Sequence, residues 1–327
     1  MQIVIPVRNN MDLLEKTMDS ILNQEYPREF IYTIIMDFGS TDGTYEKALS
    51  YEGYHLGVYR TYETFNQRQL VTEMARIAEY TKPEGTFVYY VVMYPGDVLY
   101  PQCLLHCAKA IQENQDIMPN MIITEADIRK EDGSIIKQKN LFPTDTLLNG
   151  SRDFLSYIER GYCHQIFCLS STLGINRYRA SGEMNEQRWW NKSLRSNMDK
   201  QVIYLSEPLA VIQEIFYEDE LEEILLRWES IIVQKRFYES RCQKALLPEF
   251  EQRAKANLAE YAVWRSFVCY QEDKRKKMTE DCLLIAAVID KTIIKSIQYK
   301  TMEDLLIQGN IEKEQYLKNY YTCNGYS

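Results

Sequence analysis

The sequence predicts an α/β protein, with a mostly parallel sheet sandwiched by helices and a C-terminal all-α region after it. Three observations carry this expectation. Short, continuously apolar runs alternate with helical patterns through the first half of the chain. Such runs mark strands covered on both faces, as parallel sheets require. Beyond about Glu214 the strand patterns stop and helical periodicity continues to the end.

The elements follow in order. Residues 3–7 are an apolar run closed by the polar Arg8-Asn9-Asn10, a first strand. Residues 11–22 place Leu13, Leu14, Met18, Ile21 and Leu22 on one helical stripe. Residues 30–36 are apolar and β-branched, a second strand, and the segment from Asp37 to Thr44 reads as a loop with a helix starting near Thr44. Residues 66–80 are helical, with Leu70, Met74, Ile77 and Ala78 on one face. Residues 87–93 form a strand between Gly85 and Pro95-Gly96. Pro101 opens a helix, since proline suits a first turn, and residues 121–124 add a strand. In the tail, Leu221, Ile224, Leu225, Trp228, Ile231 and Ile232 form the stripe of a helix over 219–246. Pro248 starts a second helix reaching about Gln271. Thr279 caps a third, and Thr301 with Asp304 caps a fourth. The predicted domains are 1–214 and 215–327.

Composition narrows the function. The chain has 327 residues, 45% hydrophobic and 26% charged, enough apolar material for about two folded domains. A net charge of −9 does not favour the basic face a nucleic-acid binder needs, so no nucleic-acid partner is expected. Eight cysteines without a CxxC spacing predict reduced thiols rather than a disulfide scaffold. Cys103, His106 and Cys107 share helical spacing, yet no second ligand pair follows, so buried thiols are the plainer reading. Cys163 and His164 are adjacent, so their side chains diverge. No apolar run is long enough for a transmembrane segment. The first residues read as a strand rather than a signal peptide, which predicts a cytoplasmic protein. Dinucleotide and P-loop glycine motifs are missing from the sequence.

Three blocks in order carry a family resemblance: Ile3-Val4-Ile5-Pro6-Val7-Arg8-Asn9, then Asp19-Ser20-Ile21-Leu22-Asn23-Gln24, then Ile34-Ile35-Met36-Asp37-Phe38-Gly39-Ser40-Thr41-Asp42-Gly43-Thr44. Continued through Ala75-Arg76 and Tyr89-Tyr90-Val91-Val92-Met93, the first 214 residues resemble a family 2 glycosyltransferase with the GT-A fold. The resemblance implies a nucleotide sugar donor, UDP-linked, and transfer with inversion to a glycan, lipid-linked or protein acceptor. It places Asp37 against uracil N–H, with Pro6, Val7 and Asn9 lining the base pocket. Gly39 lies in the turn that follows, and Arg76 faces the nucleotide or its phosphates. The family's Asp-x-Asp, which holds Mn²⁺ or Mg²⁺ through hard oxygens, falls on Tyr94 and Gly96, leaving only Asp97 to help hold a metal. The acidic pair that supplies the base falls on Glu186 and Gln187. An amide cannot take a proton, so Glu186 is the candidate base, with Glu183 a substitute. Trp189 and Trp190 follow and could stack on a sugar ring. Losing acids at two places opens an alternative: a degenerate module that binds nucleotide or glycan and serves as a partner or scaffold subunit. The tail's apolar stripes are expected to pack on the first domain or to join a homo-oligomer, and lipid-linked acceptors would place the protein at the inner membrane face.

Overall fold

A computed structural model describes residues 1–53, 55–61, 76–77, 80–81, 88–137, 140, 142–149, 166–171, 200–213, 220–240, 247–272, 276–324 and 326. The chain divides into two compact units, one drawn from Met1–Phe154 and His164–Glu214, the other from Leu155–Cys163 and Ile215–Ser327.

The first unit is a ten-stranded sheet. Its strands are β1 (Gln2–Val7), β2 (Tyr32–Asp37), β3 (Leu56–Arg60), β4 (Tyr89–Val92), β5 (Val98–Leu99), β6 (Met121–Arg129), β7 (Ile135–Ile136), β8 (Thr146–Asn149), β9 (Ile166–Ser171) and β10 (Gln201–Gln213). The order is β3-β2-β1-β4-β9-β6-β10-β5, with β7 on β6 and β8 on β10. The helices α1 (Met11–Leu22), α2 (Thr44–Leu49) and α3 (Cys103–Glu113) connect them. All six residues of β1 are buried. Ile3, Ile5 and Val7 pack in one cluster with Leu14, Met18 and Leu104. Val4, between them, packs in another with Ile34, Met36, Ile77 and Tyr90. Successive side chains of a strand point to opposite faces, so a strand covered on both sides must be apolar throughout. Each such Ile or Leu stabilises the unit by roughly 1.5–3 kcal/mol.

Strand direction decides where a site can form. β1 runs parallel to β2 and β4, and β2 to β3. β9 is antiparallel to both β4 and β6, so those two run the same way, and β10 follows β6. The C-terminal ends of six strands therefore share one edge. On it lie Arg60, Asp37, Val7, the chain after Val92, Arg129 and Gln213.

Several boundaries differ from the sequence reading. Phe30 is exposed in a 3-10 turn, Arg28–Phe30, and β2 begins at Tyr32. The helix expected from Pro101 starts at Cys103. β6 extends to Arg129, past residue 124, since its pairing with β10 continues through the buried acids Glu125 and Asp127, which interrupt the apolar run. Antiparallel pairings of β5, β7, β8 and β9 complete the mostly parallel sheet.

The second unit is helical: α4 (Glu220–Ser240), α5 (Leu247–Gln271), α6 (Lys276–Ile289), α7 (Ile297–Ile307) and α8 (Ile311–Cys323). Two expected caps are corrected. Thr279 is buried inside α6 rather than at its start. Thr301 lies within α7 and donates to Ile297 O at 2.7 Å, while Ser296 caps that helix by accepting from Tyr299 N. Asn310 caps α8 through Glu312 N at 2.8 Å. Across α4 and α5, the buried Glu223 carboxylate accepts from Arg227 Nε at 3.1 Å and from the Tyr261 hydroxyl at 2.7 Å, with Arg265 Nε at 3.7 Å. A buried charge needs such partners.

Candidate active site

Two loops meet at the C-terminal edge, one leading from β1 to α1 and one from β2 to α2. Asn9 has φ 51, a left-handed backbone that asparagine tolerates. Its N–H donates to Ser40 Oγ at 3.0 Å and its Oδ1 accepts from Thr41 N at 2.9 Å. Asn10 N donates to Thr44 Oγ1 at 3.0 Å. These bonds latch the two loops side by side. Asp42 accepts from the Thr44 hydroxyl, which holds its carboxyl below the usual range. Gly39 takes φ 69 at the turn out of β2, a value that favours glycine.

Asp37 lies beneath the latch with no exposed surface. Its carboxylate accepts from Ser40 N at 3.2 Å and faces Arg60 Nε at 3.2 Å, a partner brought to it by β3. Arg60 also donates to Ser40 O at 2.7 Å and stacks 4.3 Å over the Tyr45 ring. Arg60 escaped the sequence reading; the parallel pairing of Asp37 with Arg60 across β2 and β3 is what joins them. Pro6 and Val7 are buried in β1, Val7 in the core, and Asn9 is exposed. Arg76 is exposed beside Ile77, which is buried on the face of β1, β2 and β4.

The turn after β4 holds the positions where the resemblance expects metal-binding acids. Asp97 is buried, and each of its carboxylate oxygens accepts a backbone N–H: Tyr94 N at 2.8 Å and Gln213 N at 3.1 Å. Gly96 has φ 101, and a Cβ there would meet the Gln213 side chain at 3.0 Å. An acid at that position would be both strained and crowded. Gly96 O accepts from Gln213 Nε2 at 2.9 Å and from Arg129 Nη1 at 3.2 Å. Thr17 closes the turn from α1, donating to Asp97 O at 2.8 Å and accepting from Gly96 N at 2.9 Å. Among the described residues no group of three His, Cys, Asp or Glu could hold a metal ion. The described residues of this turn therefore do not fit a divalent ion: the one acid left is tied to backbone donors. Cys103 and Cys107 are buried, and the thiol–thiol bond with burial pushes Cys103 well up; His106 faces Glu207 at 3.1 Å.

On the same edge the Tyr100 hydroxyl donates to Asp127 Oδ2 at 2.5 Å. Burial first, then this bond, push its pKa up to about 12. Glu186, the candidate base, lies outside the described residues, as do Glu183, Trp189 and Trp190.

The fold recurs in solved structures. It superposes on S. aureus TarS with a TM-score of 0.57 at 12% identity, over 98% of this chain, and spans 55% of that TarS chain. Against residues 1–349 of S. aureus TarS in complex with UDP, the TM-score is 0.57 at 13% identity, over 99% of this chain and 91% of that one. Against the same fragment in complex with UDP-GlcNAc, it is 0.54 at 13% identity, over 94% and 92%. These likenesses show the fold. No curated protein matches by sequence. The model for "Glycosyl transferase family 2" matches residues 2–171, and on that match the chain belongs to glycosyl transferase family 2.

Proposed function

We propose that the first 214 residues bind a nucleotide diphosphate sugar, UDP-linked, at the C-terminal sheet edge and pass its sugar with inversion to a hydroxyl acceptor on a glycan, lipid or protein. The observation that carries this is the pair of loops latched by Asn9, Ser40 and Thr41 above Asp37. Ligands of open α/β sheets bind at such an edge, and the S. aureus TarS fragment that shares the fold was solved in complex with UDP and with UDP-GlcNAc. Asp37, being fully buried, holds Ser40 and Arg60 in place from below, while Arg8, Asn9 and the Gly39–Gly43 turn meet the base and ribose. Arg76 reaches the phosphates. The Arg129 guanidinium, held at Gly96 O, is a preorganised cation for the diphosphate. Glu186 takes the acceptor's proton as its oxygen attacks the anomeric carbon. The bond from that carbon to the diphosphate breaks in the same displacement, and its electron pair leaves with the nucleotide. Residues 215–327 form a helical module of the same chain, and the protein works in the cytoplasm, peripheral to the membrane face that carries a lipid-linked acceptor.

The engagement of Asp97 by two backbone donors favours one other reading, a module that binds nucleotide without turnover. A donor-hydrolysis screen over UDP-sugars, with and without chelator, separates the two. Release of UDP from one donor establishes the enzyme, and UDP binding with no turnover of any donor or acceptor pair establishes the module.

A further inference from the structure

We propose that the ridge formed by Leu284, Val288, Lys291, Ile294, Ile297 and Lys300 in the helical unit docks on an anionic lipid bilayer. The inference deepens the peripheral placement above and rests on it, but not on the donor chemistry. These six residues are all exposed. Leu284 is 64% exposed, Val288 53%, Ile294 45% and Ile297 64%. They are not the edge of a core, because Cys282, Leu283, Ala286, Ile289, Tyr299 and Met302 already fill it from the other side of the same elements. Spacing pairs them within each element, and the extended residues Asp290 and Ser296 join the three elements. Leu284 and Val288 are one turn apart on α6. Lys291 and Ile294 eclipse in the 3-10 turn Lys291–Lys295, where side chains three apart superpose. Ile297 opens α7, and Lys300 lies one turn on in the same helix.

Charge selects the occupant. Between residues 284 and 300 three lysines face one acid, Asp290, in a chain whose net charge is −9. The Asp290 carboxylate is taken by Thr292, whose N–H and hydroxyl each donate to Oδ1 at 2.8 Å. Lys291, Lys295 and Lys300 have no ion-pair partner among the described residues. Glu280 and Asp281, a turn before Leu284, and Glu303, a turn after Lys300, bound the basic stretch. An anionic surface takes the isoleucines and leucine into the headgroup–acyl boundary while the lysines meet lipid phosphates. No described helix is long and apolar enough to cross a membrane, so the contact is with the surface.

The test is flotation of the full chain with phosphatidylcholine vesicles, with or without about a third phosphatidylglycerol. The wild type should float only with phosphatidylglycerol, and less at high salt. Ile294→Ser with Ile297→Ser, and separately Lys291→Glu with Lys300→Glu, should each lower partitioning about tenfold or more, with the melting curve and UDP affinity unchanged. Wild-type flotation that neither double variant weakens would overturn the ridge while leaving the peripheral placement. A wild type that never floats would overturn both. A dimer of the wild type that the same variants dissociate would assign the ridge to a second copy and overturn the inference.

Discussion

Asp37 is the residue whose loss the structure prices most sharply. Asp37→Ala removes the acceptor of Ser40 N–H and the negative charge beside Arg60. Stripping one partner from a buried ion pair costs ~3–5 kcal/mol. Arg60 is 22% exposed and keeps Ser40 O and the Tyr45 ring, so solvent and those contacts reduce the cost to about 2–3 kcal/mol. In a unit of this size that is a fall of roughly 4–12 °C in Tm. Asp37→Asn keeps an oxygen for Ser40 N–H and should lose about half as much. Paired with Arg60→Met in a double-mutant cycle, either variant should show a coupling of ~1–3 kcal/mol. UDP affinity should fall about tenfold in Asp37→Ala, because the loop that meets the base loses its support. Thermal melts and UDP titration of the same samples read both effects. An Asp37→Ala protein that melts like the wild type and binds UDP equally well would refute the reasoning.

Three further outcomes are expected. Arg129→Ala should weaken UDP binding by about 1–3 kcal/mol while uridine affinity stays constant, since only the diphosphate meets the guanidinium; equal losses for both ligands would make Arg129 a brace for Gly96 alone. Glu223→Ala leaves Arg227 and Arg265 without their shared carboxylate and should destabilise the helical unit by ~3–5 kcal/mol, read by urea denaturation, whereas Glu223→Gln should cost less; identical curves for the two would contradict the charge account. The folded Tyr100 holds its proton to about 12 against a usual 10.0, so its stabilising contribution is complete below pH 10 and is lost as pH rises through about 12. Tyr100→Phe should flatten that alkaline decline in a pH series of melts, and an unchanged series would exclude Tyr100 as its source.

Residues 1–49 were the most legible, for a physical reason, while most of the helix expected over 66–80 lies outside the described residues. Strands covered on both faces, such as β1 and β2, must be apolar throughout, and the polar loops between them carry glycines where the backbone needs positive φ. Strand β3 was not legible, because it is half-exposed along its whole length and holds Gly57. Strand β10 hid behind Glu207-Pro208, where the register shifts between Leu205 and Ala210. The caps at Ser296 and Asn310 were missed in favour of Thr279 and Thr301, since any Ser, Thr, Asn or Asp near a helix start satisfies the same pattern. In the candidate site, Asp37, Asn9, Gly39 and Asp97 were named through the family resemblance. Their partners Arg60, Arg129, Gln213 and Thr17 were not, because each reaches the site through sheet pairing or a turn that sequence spacing does not reveal.

Calorimetric titration of the full chain with UDP, in chelator, tests the central claim most directly. Saturable binding is predicted, weakened by Asp37→Ala and by Arg129→Ala through separate losses at the base side and the diphosphate side. Absence of binding by UDP and by every other nucleoside diphosphate, in a folded protein and with Mn²⁺ restored, would contradict the account.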